Sequence, residues 1–125
     1  MSVFEAIRAA EALLPGEPSS EIDPRWQAII VVERFVESSP EPVWEFVRRW
    51  GSHPQEDLRD AIATLLLEHL LEHHFEAIFP RVEAATAADA LFADLFLRCW
   101  KFGQSELPAN AAKFDELRNR CRQVA

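Results

Sequence analysis

An all-α fold of about six amphipathic helices in antiparallel pairs is what this sequence predicts, and three observations predict it. Only 3 glycines and no tyrosines occur in 125 residues, while Ala, Leu, Glu and Arg, which lose little freedom in a helix, are abundant. Extended alternation of Val, Ile and Thr is missing, so a sheet has nothing to be built from. Helix start and stop signals recur along the chain and divide it into segments. A length of 125 residues and a hydrophobic content of 49% suit a single domain over residues 1–125 with a real core.

The first segment opens at Ser2 with Glu5 three residues on, a capping box, and places Val3, Phe4, Ile7 and Leu14 on one face until Pro15 and Gly16 stop it. Residues 15–22 read as the one long surface loop. Asp23 as N-cap and Pro24 at the first helical position start the second helix, whose face is Trp26, Ile29, Ile30 and Val36. Ser39 and Pro40 start the third, through Val43, Trp44, Val47 and Trp50, which Gly51 is expected to end as a left-handed C-cap.

Ser52 and Gln55 form a second capping box, and no breaker follows until Pro80, so the fourth helix is expected to span about 25 residues with Leu58, Ile62, Leu65 and Leu66 inside. Phe75 and Phe79 fall on a different side of it, which marks a central helix apolar around much of its circumference. Thr86 with Asp89 opens the fifth, through Phe92, Phe96, Cys99 and Trp100 to Gly103; Asn110 caps the sixth, with Phe114, Leu117, Cys121 and Val124 inside. Short links between such helices leave antiparallel stacking as the way to pack, as a bundle or a short solenoid.

Residues 43–66, with Asp57, Leu58, Arg59, Ala61, Ile62 and Leu65 in its second helix, resemble a HEAT-type repeat, and Asp23, Arg25 and Ala28 echo it one helix pair earlier. The resemblance covers residues about 23–79 and implies a helical surface that binds another macromolecule. The run from Trp50 through the His-rich segment to Trp100, Lys101, Phe102 and Gly103 is also similar to a group of uncharacterised bacterial proteins, which implies no function.

A formal charge of −8 argues against a nucleic-acid footprint, which would need Arg48, Arg49, Arg118, Arg120 and Arg122 to converge. The acidic excess lies before residue 104. It suits a basic protein partner; solubility alone is the plainer explanation. No signal sequence or membrane span is legible, so a cytoplasmic location is expected. Cys99 and Cys121 read as buried thiols.

Chemistry concentrates in residues 68–76. His69, Glu72 and His73 match the HxxEH signature of the inverzincin metalloproteases, in which two histidines one turn apart ligate zinc and the glutamate activates water. Those enzymes draw a third ligand from far downstream and cradle substrate along a sheet edge, and this chain has room for neither. Two expectations follow. Glu68, His69, Glu72, His73 and Glu76 form the contact surface of a non-catalytic protein-binding module, of inhibitor or immunity type, with no cofactor. The alternative is a zinc-binding protein or metal-dependent hydrolase on His69, His73 and Glu76. Oligomeric state is not legible.

Overall fold

The computed structural model describes residues 1–14, 16–17 and 22–124. The order is α1 (Val3–Leu13), α2 (Pro24–Glu33), α3 (Pro40–Trp50), α4 (Glu56–Ile62), a π-helical turn (Ala63–Leu67), α5 (Glu68–Ala88), α6 (Ala90–Leu97), a 3-10 turn (Gly103–Glu106) and α7 (Pro108–Val124). The run from α4 through α5 is one body, so six helices make up the bundle and no strand occurs among the described residues. Pro15 and most of the loop expected at 15–22 lie outside them.

Local signals set several helix starts. The Ser2 and Glu5 capping box forms in both directions, and Asp23 accepts from the Arg25 N–H while Pro24 occupies the first turn. Other boundaries differ from expectation. Ser39 makes no side-chain cap, and α4 starts after Gln55 without the expected box, the Gln55 N–H going to His53 Nδ1 at 3.1 Å. Asp89, not Thr86, caps α6, because its carboxylate reaches the Leu91 and Phe92 N–H groups; Thr86 stays in α5. The last helix begins at Pro108, and Asn110 instead donates to the Gln104 carbonyl. Gly51 has φ −68, so it is not a left-handed cap. Its glycine is required by space: a Cβ there would meet the Val47 carbonyl at 2.5 Å and the Leu95 and Phe92 side chains at 2.9 Å.

The long central helix packs against α2 and α3 early on and against α6 and α7 later. It does not end at Pro80. Instead it departs from α geometry twice, in the π turn at Ala63–Leu67 and at His74, whose φ −138 and ψ 43 break the run. Each residue advances a regular helix by about 100°, so an extra residue in a turn rotates everything downstream. This is how a stripe that changes side in the sequence reaches one interior. Ile62, Leu66, Leu67, Leu70 and Leu71 are all buried, and Phe75, Ile78, Phe79 and Val82 are buried beyond the break. Leu65, expected inside, is left only partly buried.

The remaining core mixes aliphatic side chains with two aromatic contacts. Trp44 meets Phe92 edge-on at 5.9 Å, and Phe96 meets Phe114 at 4.7 Å. Two buried cations join elements: Arg25 pairs with Asp23 at 2.8 Å and with Asp57 of α4, and Arg59 holds the His53 and Pro54 carbonyls and Asp94 of α6. Phe4 at 62%, Val124 at 58% and Trp100 at 67% exposure are corrections, since all three were expected on buried stripes. Among the described residues, no helix is long and apolar enough to cross a membrane.

Candidate functional site

The segment between the two irregularities, residues 68–73, carries most of the side chains expected to matter, and the structure treats them unequally. The π turn rotates Glu68 inward to 6% exposure. There its Oε2 accepts the Trp100 N–H at 2.9 Å, and its Oε1 lies 3.8 Å from His69 Nε2. Burial pushes the Glu68 carboxyl above the usual carboxylate range, and the Trp100 hydrogen bond opposes that shift. Glu68 is therefore an internal tie, not the surface carboxylate expected of it.

Glu72 stands between two histidines: His69 Nδ1 is 2.8 Å from its Oε1 and His73 Nε2 is 3.6 Å from the same oxygen. Phe102 stacks on the His69 ring at 5.9 Å with 14° between planes. Gly103, at φ +50, presses on Glu72 so closely that a Cβ would meet its Cγ at 2.7 Å; here glycine answers both a left-handed backbone and a close approach. His74 reaches the Glu37 carbonyl at 2.9 Å.

The break at His74 is closed by one side chain. The Gln104 amide donates to the His73 carbonyl at 2.7 Å and accepts the Phe75 N–H at 2.9 Å, replacing backbone bonds that the interrupted helix cannot make. The segment 100–104 is thus strapped to the long helix at both irregularities. Its side chains remain at the surface, Trp100 at 67% and Phe102 at 40% exposure. Lys101 is engaged elsewhere, 2.7 Å from Asp115.

Beside this strap, His69 and His73 form one wall of a cleft of about 200 Å³ whose other wall is the end of α2, with Glu33, Arg34, Val36 and Glu37. No ion pair of Glu33 or Glu37 occurs among the described residues. Glu76 does not belong to this surface; beyond the break it lines a separate cavity against α7. Among the described residues no three His, Cys, Asp or Glu side chains are gathered to hold a metal ion, so His69, His73 and Glu76 do not form the alternative zinc set. Burial pushes the Cys99 thiol well up and raises Cys121 as well, which disfavours the nucleophilic thiolate in both. The arginines a nucleic-acid surface would need divide between α3 and α7, where Arg49 pairs with Glu11 and Arg120 with Glu83.

Sequence reasoning missed Trp100, Phe102, Glu33 and Glu37. The available signal was the aromatic pair just before Gly103, in a stretch that leaves the helix at Leu97 and not at Gly103. What the site offers is Glu72 and His69 beside the Phe102 ring, with Glu33, Glu37 and Arg34 across the cleft. The chain matches no family model, no curated protein and no solved structure.

Proposed function

We propose that this chain is a non-catalytic protein-binding module, of inhibitor or immunity type, that takes a basic segment of its partner on the surface made by residues 69–73, the end of α2 and the strap at 100–102. The observation that carries this reading is Trp100, a large aromatic left 67% exposed while its backbone is fixed by a buried carboxylate. With its backbone fixed, the residue loses little main-chain freedom on association, and tryptophan is enriched among the residues that dominate interfaces. Glu33 and Glu37 share the cleft with Arg34, His69 and His73, and Glu72 reaches His69; this carboxylate excess favours a positively charged partner, whose Lys or Arg heads can also stack on Phe102 or Trp100. A HEAT-like pairing of helices accords with this reading, in that Asp57 and Arg59 each tie neighbouring helices together.

The test is affinity for a protein recovered on the wild-type chain from its source lysate. Trp100→Ala weakens that affinity by at least about tenfold. Reversal of Glu33, Glu37 and Glu72 to Lys slows association, as does raising salt from about 0.05 to 0.5 M, with the helical spectrum intact. Unchanged affinity in both variants removes this surface from the interface. Glu68 and Glu76 are left out of the reversal because the first is buried and the second lies elsewhere.

A further inference from the structure

We infer that the open seam between α5 and α7 is a docking groove for an amphipathic helix of a partner protein, basic along one edge and acidic along the other. The surface is separate from the one proposed above. Residues 75–83 of α5 face 104–113 across a cavity of about 740 Å³, and residues 83–87 face 117–124 across one of about 300 Å³. The two helices therefore run in the same direction, and α6 packs against both without lining either cavity. The seam between them is thus two open cavities that meet at Glu83.

The groove has an apolar floor and walls of opposite sign. Phe75 and Phe79, whose side chains are otherwise buried in the core, line one cavity with Leu107, which is 56% exposed; buried Leu117 and exposed Val124 line the other, so Leu107 and Val124 supply the accessible apolar surface. On the α5 wall Glu76 and Glu83 stand about two turns apart, and on the α7 wall Lys113 and Arg120 repeat that spacing. Pro80 sharpens the contrast, because it has no N–H and so leaves the Glu76 carbonyl without its usual helical donor beside the Glu76 carboxylate. A helix laid in the seam would set Lys or Arg against α5, Asp or Glu against α7, and an apolar stripe on the floor, the arrangement that fixes partner and direction between packed helices. The Glu83 to Arg120 bridge that crosses the seam at 3.2 Å is exposed on both sides, and pairs of that kind hold only weakly.

The experiment uses the full chain and two synthetic helical peptides of identical composition, read by fluorescence anisotropy. One peptide carries a leucine stripe with Lys along one edge and Glu along the other at two-turn spacing; the second has the same stripe with both charges mixed on each edge. The segregated peptide is expected to bind about tenfold more tightly than the mixed one. The double variant Glu76→Lys with Lys113→Glu, which mixes the charges on both walls at exposed positions, inverts that order. Leu107→Glu abolishes binding of the segregated peptide, and Trp100→Ala leaves it unchanged, so failure here and failure of the first surface are distinguishable. Equal affinity for the two peptides, absence of binding below about 1 mM, or a self-associated chain that Leu107→Glu renders monomeric by sedimentation would each overturn the proposal, the last by giving the groove to a second copy.

Discussion

Residues 56–73 and 75–88 belong to one continuous run of helix and both bury apolar side chains, yet only the first adds buried polar ties to other elements. In the first stretch, buried polar side chains cross to other elements: Arg59 to Asp94 and two loop carbonyls, Glu68 to the Trp100 N–H. In the second, the buried side chains are apolar apart from Thr86, and the ion pairs to Glu41 and Arg120 lie at the surface. Buried polar ties specify one arrangement because each group left unpaired is costly, whereas apolar contacts tolerate sliding. The contrast teaches where recognition can be built. The tied half carries the surface proposed for a basic partner, and the apolar half lines the seam proposed as a docking groove.

Substitutions in the two halves test that contrast directly. The largest effect is expected at the π turn, where Leu66→Ala leaves a cavity and costs about 2–5 kcal/mol in urea unfolding, while Leu65→Ala, only partly buried, costs less than about 1 kcal/mol. Equal losses at the two positions would mean that the helix runs through without the extra residue. Next comes Gln104→Ala, which leaves the His73 carbonyl and the Phe75 N–H without their partner and costs about 1–2 kcal/mol, with faster hydrogen exchange at Phe75 and its neighbours. Exchange confined to the chain termini would show that the break does not depend on that side chain.

The smallest effect at neutral pH belongs to Glu68. Its carboxyl titrates above the ordinary value of 4.5, so across that interval the native state holds a proton the unfolded chain has lost. Stability conferred by the protonated group is present at the acid end and falls as pH rises from the unfolded value through the folded one. Glu68→Gln keeps an oxygen for the Trp100 N–H and has no charge to bury, so it should flatten this fall and leave stability at pH 7 equal or higher. A variant that is less stable at pH 7 but matches the wild type in acid would show instead that the ionised carboxylate is favoured where it stands.

Helix number, the caps at Ser2 and Asp23 and most core positions could be read from local pattern, because such signals act within a turn or two of where they are written. The π turn and the break at His74 could not be read that way. The apolar stripe that changes side between Ile62 and Phe75 also fits a regular central helix buried on several sides, so it singles out neither irregularity. The partner that makes the break tolerable is Gln104, 31 residues from His73, and no periodicity reports a contact at that distance. Trp100 was misassigned for a related reason: its spacing continues the stripe of Phe92 and Phe96, but the helix has already ended at Leu97. Residues 69–73 were recognised as candidates from composition; what composition could not show is that Glu68 turns inward and Glu76 joins a different surface.

The Gln104 side chain also touches both surfaces at once. Its carboxamide secures the His73 carbonyl behind the histidine cleft, and the same residue lines the larger cavity of the α5 and α7 seam. Removal of that side chain is therefore felt in two places: Gln104→Ala uncaps the His73 carbonyl and widens the cavity between α5 and α7, while the Glu68 to Trp100 hydrogen bond still holds the other end of the strap.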